Sequence, residues 1–362
     1  MRKKRVALYD PYLDVMGGGE NHILSILKVI EEAGYEPTVF WKENLTEAIS
    51  TKLNLTFHSL TFEESPLSQK KKLRDKARLL KDYDIFIYVT DGSYFFSRAK
   101  RNYVFAMVPQ KSLYNRSILN RLKTANYRFI SNSLYTQKKI KQWGIKSQVI
   151  YPYINDEYIN FDIKNIKKEK TILSVGRFFK HLHAKRQDKA IEYYISLSTK
   201  IKQMEEYKLV LAGNVKKEDE PYFNELKEMA KGHNIELKPN IPYSELKDLY
   251  AKAECYWHFA GYDVDESIHP ELVEHLGMTP LEAMAMGCIT FCYRAGGPKE
   301  TIRDGKTGFL FDSQEELQKN MLLLNNGELR QTMMTEAKQY ISQHFSYPVF
   351  KSRVMEVFKL NT

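Results

Sequence analysis

Residues 5–34 read RVALYDPYLDVMGGGENHILSILKVIEEAG, and this stretch decides the fold. A short apolar run, Val6 to Leu8, comes first, and the glycine turn Gly17-Gly18-Gly19 follows it. The pattern predicts a strand, a glycine turn and a helix, which together form the repeating unit of parallel α/β sheets. The predicted helix ends at Gly34, and its apolar residues recur at the spacing of one helix face: Ile23, Leu24, Leu27 and Ile30.

Strand-like runs recur along the chain, with helical spacing between several of them. This alternation predicts parallel sheets that are covered by helices on both faces. We therefore expect two doubly wound, Rossmann-like α/β domains, whose ligands bind past the carboxyl ends of the strands, in the cleft between the domains. The predicted strands are residues 5–9, 39–41, 85–89, 103–108, 129–131 and 148–151 in the first series, and 171–175, 208–212, 255–258 and 289–292 in the second.

A polar, lysine-rich stretch at residues 156–170 separates the two series and predicts a linker. The predicted domains are residues 1–155 and 171–345. Residues 346–362 form a last predicted helix, which we expect to pack back on the first domain. Its apolar residues at helical spacing are Phe350, Val354, Val357 and Phe358.

The composition is that of an ordinary globular protein. The chain has 362 residues, of which 43% are hydrophobic and 28% charged, so it is long enough for two cored domains. Its three cysteines show no pairing framework or metal-ligand spacing, which predicts a reducing, cytoplasmic location and no bound metal. No apolar run reaches the roughly 18 residues that span a bilayer, so any membrane contact is expected to be peripheral.

The net positive charge is confined to the first half of the chain. Residues 1–160 carry a net charge of +10, whereas residues 161–362 are neutral. Within residues 112–123, Leu113, Ile118, Leu119 and Leu122 interleave with arginine and lysine, as in a helix that lies on an anionic lipid surface. The alternative is a solvated basic surface that only aids solubility. The sequence contains no nucleic-acid-binding signature, and we expect no nucleic acid partner.

Residues 274–287 contain the most informative group of candidate binding residues. Thr279 and Pro280 predict the cap and first residue of a helix that ends at Gly287. The N–H groups of Gly277, Met278 and Thr279 would favour a diphosphate there. Glu274 and Glu282 flank this site and could accept hydrogen bonds from sugar and ribose hydroxyls. The alternative for Glu282 is a capping box with Thr279.

Two cations could serve the same diphosphate. Arg177 follows the strand that ends at Gly176, and Lys185 precedes a helix predicted to begin near Gln187. Lone basic residues are more often surface solubilisers, which is the alternative for both. His258 is expected to be a core histidine, and Asp91 to shape the turn Asp91-Gly92 more than to orient an acceptor hydroxyl.

These motifs together resemble the retaining glycosyltransferases of family 4, the "glycosyl transferases group 1" family. The signature is Glu274 and Glu282, separated by seven residues. Residues 257–258 and 274–277 are similar to the branch with the asparagine-linked-glycosylation mannosyltransferases. The other matching segments, in the family's order, are residues 174–177 with 185–188, 211–213, 282–285, 296–300 and 304–308, and more weakly 17–20 and 131–133.

The resemblance implies a GT-B fold, in which two Rossmann-like domains face each other across a cleft. It implies metal-independent transfer of a hexose, with a leaning to mannose, from a GDP- or UDP-linked donor to a glycan or lipid-linked acceptor. Glu274 would contact the transferred sugar, Glu282 the ribose, and Arg177 and Lys185 the diphosphate. Gly18 and Gly19 would let the first domain approach the donor.

One position departs from the family pattern. Many relatives have a histidine at a strand end where this chain has Met107-Val108-Pro109, which leaves the acceptor side less defined. The alternatives to a transferase are a catalytically inactive nucleotide-sugar-binding protein and a nucleotide-sugar epimerase. A glycosidase is disfavoured because it needs no diphosphate site. An NAD-dependent oxidoreductase is disfavoured because the glycine turn lacks the full dinucleotide pattern.

Overall fold

A computed structural model of the chain describes residues 3–65, 67, 80–163, 166–181 and 184–360. The chain forms two compact units. The first unit comprises Met1–Tyr153 together with Pro348–Thr362, and the second comprises Ile154–Tyr347. The basic run at residues 70–78 lies outside the described residues.

The first unit is built on a seven-stranded parallel sheet in the order β3-β2-β1-β4-β5-β6-β7. The glycine turn predicted near its start leads into a helix at Gly18, and the alternation of strand and helix follows as expected. The strands are β1 (Lys4–Tyr9), β2 (Tyr35–Phe40), β3 (Thr61–Glu63), β4 (Ile85–Val89), β5 (Arg101–Ala106), β6 (Tyr127–Ser131) and β7 (Ser147–Val149). The helices among them are α1 (Gly18–Glu32), α2 (Thr46–Leu53), α3 (Ile118–Lys123) and α4 (Leu134–Gln142).

The basic, apolar segment at residues 112–123 does not form one helix. A single 3-10 turn, Lys111–Tyr114, is separated from α3 by an extended stretch that begins at Asn115. Leu113 packs against the core of the first unit, so it is not part of an outward apolar face. Ile118, Leu119 and Leu122 are exposed by 80%, 54% and 61%. The expected outward apolar face therefore consists of three residues on a short helix.

The second unit has a six-stranded parallel sheet in the order β10-β9-β8-β11-β12-β13. Aromatic side chains dominate its core, among them the fully buried Trp257 and Phe259. The strands are β8 (Glu169–Val175), β9 (Lys208–Gly213), β10 (Ile235–Pro239), β11 (Ala253–His258), β12 (Ile289–Tyr293) and β13 (Phe309–Phe311). The helices are α5 (Asp156–Ile159), α6 (Gln187–Lys200), α7 (Glu220–Ala230), α8 (Tyr243–Lys252), α9 (Met278–Ala285), α10 (Pro298–Thr301), α11 (Gln314–Leu322) and α12 (Gly327–Phe345).

The sequence-predicted linker, residues 156–170, contains helix α5 and the first residues of β8, and residues 164–165 within it lie outside the described part. The last helix, α13 (Tyr347–Phe358), buries Phe350, Val354, Val357 and Phe358 in the first unit. One of its ring contacts joins Phe358 to Tyr103 of β5, with centroids 4.3 Å apart. None of the described helices is long and apolar enough to cross a bilayer.

Candidate active site

The predicted site residues of the second unit gather at the carboxyl ends of two neighbouring strands. β8 ends at Val175 and pairs with β11, which ends at His258. Gly176 lies in the turn after β8, where a Cβ atom would lie only 2.4 Å from Cγ of Lys185. Glycine at this turn therefore allows the lysine side chain to lie across the strand end.

Glu274 is held between a lysine and a histidine. The ammonium group of Lys185 forms an ion pair with Oε2 of Glu274, and each of the two side chains is 14% exposed. Nε2 of His258 lies 3.2 Å from the same carboxylate oxygen. Burial lowers the pKa of His258, which keeps the imidazole neutral at neutral pH. Glu274 is thus paired with an ammonium group and lies beside a neutral ring.

The Gly296-Gly297 turn supports the loop that carries Glu274. The backbone N–H of Gly297 donates to the carbonyl of Glu274 at 2.7 Å. A Cβ at Gly297 would lie 2.4 Å from Cα of Leu276, and one at Gly296 would lie 2.1 Å from the Glu274 carbonyl oxygen. The two glycines therefore let the turn press directly against the backbone of this loop.

Helix α9 starts earlier than the sequence suggests. It begins at Met278, and Gly277 precedes it with a left-handed φ of 95°. The prediction that Thr279 caps the helix and that Pro280 is its first residue is wrong. The Thr279 hydroxyl oxygen accepts a hydrogen bond from Tyr256 Oη at 2.8 Å, which ties the start of the helix to β11. The first N–H groups of α9, at Met278 and Thr279, lie where no intrahelical acceptor exists.

Glu282 does not form the predicted capping box with Thr279. Its carboxylate accepts a hydrogen bond from Oη of the fully buried Tyr250 at 3.0 Å. Burial is the main cause that raises the pKa of Glu282 to about 7. The group therefore changes charge near neutral pH and is an acceptor for hydroxyls when ionised.

Stacked rings connect the surroundings of the two glutamates. Tyr250, which binds Glu282, stacks on Tyr256 with centroids 6.1 Å apart. Tyr256 in turn stacks on His258 at 6.3 Å, and His258 lies beside Glu274. Because all three rings are buried, they form a rigid support between the two carboxylates.

Arg177 has other partners. Its guanidinium pairs with Asp219 at 2.8 Å and with Glu218 at 3.0 Å, and it lies over the ring of Phe179. Among the described residues, Glu274 is not an ion-pair partner of Arg177. Both predicted diphosphate cations are thus paired with carboxylates, which a diphosphate would have to replace or share.

Gly18 and Gly19 are the first two residues of α1 in the first unit. A Cβ at Gly18 would meet nothing within 4 Å, so this position is open. A Cβ at Gly19 would lie 1.9 Å from Sδ of Met107. The close approach that Gly19 permits is therefore to Met107.

His258 is the residue that the sequence interpretation underrated. It is a core histidine, as expected, but its ring faces Glu274. The sequence feature that could have identified His258 as a site residue is its position at the end of β11, because the last residues of parallel strands lie at the ligand-binding edge of the sheet. Asp91 does shape a turn: its Oδ1 accepts the N–H of Ser93 at 2.8 Å.

Comparison with known families and proteins gives one family match. Residues 156–340, just over half of the chain, match the family described as "Glycosyl transferases group 1". The chain is 29% identical over 178 residues to a Xenopus laevis protein named GDP-Man:Man(3)GlcNAc(2)-PP-Dol alpha-1,2-mannosyltransferase. The match covers 46% of this chain but only 34% of that protein, so the chain spans about a third of the relative's length.

Solved structures share the whole fold. A glycosyltransferase from Rickettsia africae superimposes with a TM-score of 0.74 over 99% of this chain and 98% of that one, at 16% identity. Anabaena HepE, in complex with UDP-glucose, gives a TM-score of 0.67 over 98% of this chain and 99% of that one, at 14% identity. At these identities the likeness shows the fold alone, which is the predicted GT-B type with two Rossmann-like α/β domains.

Proposed function

Because the chain belongs to the glycosyl transferases group 1 family, we propose that it is a retaining, metal-independent hexosyltransferase that uses a nucleotide diphosphate sugar. The observation that carries the proposal is the cluster of Lys185, Glu274 and His258 at the strand ends beside the start of α9. This cluster joins a cation and a hydroxyl acceptor at a helix N-terminus, which is what a sugar diphosphate requires.

The proposed chemistry breaks the bond between the sugar's anomeric carbon and the diphosphate oxygen. Negative charge then develops on the diphosphate, where Lys185 and the N–H groups of Met278 and Thr279 would stabilise it. Arg177 would join them by exchanging its pairing with Asp219 and Glu218. The acceptor hydroxyl forms the new bond on the same face of the sugar, and its proton passes to the departing phosphate oxygen.

Glu274 and Glu282 would hold the two ends of the donor. Glu274, which pairs with Lys185 and lies beside His258, would accept hydrogen bonds from the transferred sugar. Glu282, in its ionised form, would accept them from the ribose. The need to keep both carboxylates at set positions explains why buried rings lie between them.

The proposed donor is GDP-mannose, and the proposed acceptor is a lipid-linked glycan. Support comes from the similarity to a relative whose name specifies a GDP-mannose donor and a lipid diphosphate acceptor. UDP-glucose is the second candidate donor, since the UDP-glucose complex of Anabaena HepE has the same fold. Thermal unfolding with GDP-mannose, UDP-glucose and ADP-glucose should show the largest stabilisation with the true donor.

The decisive experiment is a transfer assay on three variants. Glu274→Gln, Lys185→Ala and Arg177→Ala should each lower transfer about a hundredfold while the fold is kept. Lys180→Ala is the matched control, because Lys180 is exposed, pairs with Glu225 and lies over the ring of Tyr222. Near-normal turnover in all three variants would overturn the proposal.

The same assay separates the alternative functions. An inactive nucleotide-sugar-binding protein would be stabilised by a donor but would release no nucleoside diphosphate with any acceptor. An epimerase would convert the donor sugar with no acceptor present. Donor-dependent release of nucleoside diphosphate that requires a glycan acceptor is the result expected here.

The proposed location is the cytoplasmic face of an anionic membrane, reached through α3. Ile118, Leu119 and Leu122 are exposed beside Arg116, Arg121 and Lys123. Co-sedimentation with phosphatidylglycerol vesicles should fall when Ile118→Ser and Leu122→Ser are combined. Leu322→Ser, at an exposed leucine of the second unit, is the control. Equal sedimentation of all three proteins would exclude this contact.

A further inference from the structure

The sheet of the second unit changes direction between β8 and β11. The chain builds β9 and β10 on one side of β8 and then crosses back to build β11, β12 and β13 on the other side. The pairing of β8 with β11 ends at Leu173 and Tyr256, whereas each strand stays paired with its outer neighbour as far as Val175 and His258. The two strands therefore part at their carboxyl ends, and a crevice at such a switch point is where parallel sheets bind ligands.

The hydroxyl group of Tyr256 bridges this crevice. The backbone N–H of Val175, at the end of β8, donates to Oη of Tyr256 at 3.4 Å. Oη of Tyr256 in turn donates to Oγ1 of Thr279, in the first turn of α9, at 2.8 Å. Burial raises the pKa of Tyr256 well above its usual range, so the phenol keeps its proton. One buried hydroxyl thus connects the end of a strand to the start of the helix.

These hydrogen bonds have a fixed direction. A backbone N–H can only donate, so Oη of Tyr256 accepts from Val175. The phenol has one hydrogen, which goes to Thr279 at 2.8 Å because the carbonyl oxygen of Val175 lies farther away, at 3.3 Å. The hydroxyl of Thr279 accepts this bond and keeps its own hydrogen, for which no acceptor lies within bonding distance among the residues that the structure describes. The half-buried Thr279 therefore presents a hydrogen-bond donor.

We propose that Tyr256 is a positioning residue of the donor site: its hydroxyl holds the start of α9 against the end of β8 and leaves the hydroxyl of Thr279 as a donor to the nucleotide diphosphate. The inference rests on the proposed function and deepens it, because it adds a side-chain donor to the N–H groups of Met278 and Thr279. Ionised diphosphate oxygens only accept hydrogen bonds, so a threonine that gave its hydrogen to a protein acceptor would face them with lone pairs. The direction set by Val175 and Tyr256 avoids that repulsion.

Binding of nucleoside diphosphates without acceptor tests the inference separately from transfer. The probes are GDP, UDP and ADP, titrated calorimetrically into the full chain. Thr279→Val should weaken binding of the preferred diphosphate about tenfold, because a hydrogen bond to a charged group is lost, and Thr279→Ser should restore most of the affinity. Tyr256→Phe keeps the stacked ring, removes the hydroxyl and should weaken binding about fivefold. Binding of the free nucleoside, followed by ligand-observed NMR, should be the same in all variants because it lacks the diphosphate.

A double variant distinguishes positioning from a second direct contact. Because Tyr256 acts through Thr279, adding Tyr256→Phe to Thr279→Val should weaken diphosphate binding no further. Tyr194→Phe is the matched control. It removes another buried phenol hydrogen bond, from Oη of Tyr194 to the carbonyl of Tyr207 at 2.6 Å, at the amino end of β9. This control should lower stability and leave diphosphate binding unchanged.

Unchanged diphosphate affinity in either Tyr256→Phe or Thr279→Val would overturn the inference. Additive losses in the double variant, or an equal loss in Tyr194→Phe, would also overturn it. Each of these results leaves the proposed function standing, because wild type still binds the diphosphate. If wild type binds none of the three nucleoside diphosphates, the proposed function is wrong and the inference fails with it.

Discussion

Three segments of the second unit that are far apart in the chain position Glu274. Lys185 lies before α6, His258 ends β11, and Gly297 supports the backbone from the loop after β12. A carboxylate held in this way loses little entropy when a sugar binds, which favours precise placement of that sugar.

Replacement of His258 tests this positioning. His258→Ala should lower kcat ten- to a hundredfold with little change in the donor KM, because Glu274 is still present but less well oriented. His275→Ala is the control: it removes another buried histidine, one that contacts the carbonyl of Glu271. If both variants lose activity in parallel with stability, His258 has only a packing role.

Glu282 should contribute to the pH dependence of the free energy of unfolding. Its pKa is about 7 in the folded chain and near 4.5 when unfolded, so the folded state binds the proton more tightly. Through this group the free energy of unfolding should therefore fall as the pH rises from about 4.5 to 7.

Glu282→Gln should remove that fall, as measured by urea denaturation across the pH range. Other groups also make the free energy of unfolding depend on pH: the raised pKa of Asp10 acts in the same direction as Glu282, and the lowered pKa of His275, about 4, acts in the opposite direction. The difference between wild type and variant removes both contributions and leaves that of Glu282. Identical slopes for the two proteins would show that Glu282 does not titrate in this range.

The sequence assigns Glu274 and Lys185 to one predicted donor site, and the structure brings their side chains together. The Thr279 cap and the alternative capping box with Glu282 are wrong because both are local patterns, whereas the partners of Thr279 and Glu282, Tyr256 and Tyr250, lie more than 20 residues away in the chain. Contacts between residues so far apart in the chain cannot be predicted from the spacing of residue types along the sequence.

At the scale of elements, the turn before α10 has no room for a side chain. Gly297→Ala would bring a Cβ to 2.4 Å from backbone atoms of the Glu274 loop, and backbone cannot yield as a flexible side chain can. We expect a loss of stability of about 1–3 kcal/mol together with a loss of transfer. Thermal and urea unfolding measure the first effect, and the transfer assay the second.

Gly18→Ala is the matched control for that variant. The new methyl group meets nothing within 4 Å at the first residue of α1, so stability should be unchanged or should rise by about 0.4–1 kcal/mol. A similar loss of stability in both variants would show that the space around Gly297 is not the cause.

The elements that were foreseen are those with a strong apolar run. Residues 85–89 were predicted as a strand and form β4. The edge strands β3 and β10 were missed because an edge strand needs little buried apolar surface: two of the three residues of β3 are exposed. β13 was missed because its three residues are too few to show a period.

At the scale of the whole molecule, α13 is part of the first unit's core. Val354→Ala should lower the free energy of unfolding by about 2 kcal/mol, because Val354 is fully buried. Val349→Ala, the same change at a 40% exposed position of the same helix, should have an effect below about 0.5 kcal/mol. Equal effects of the two changes would mean that α13 does not pack as described.

Because α13 belongs to the first unit, that unit receives its last helix only after the second unit has been synthesised. The second unit is one continuous stretch of chain, Ile154–Tyr347, so all of it is synthesised before α13 is complete. The first unit needs both ends of the chain, and its sheet must wait without α13 for the length of a whole domain. Fragments that stop before Pro348 should therefore expose the apolar surface that α13 covers.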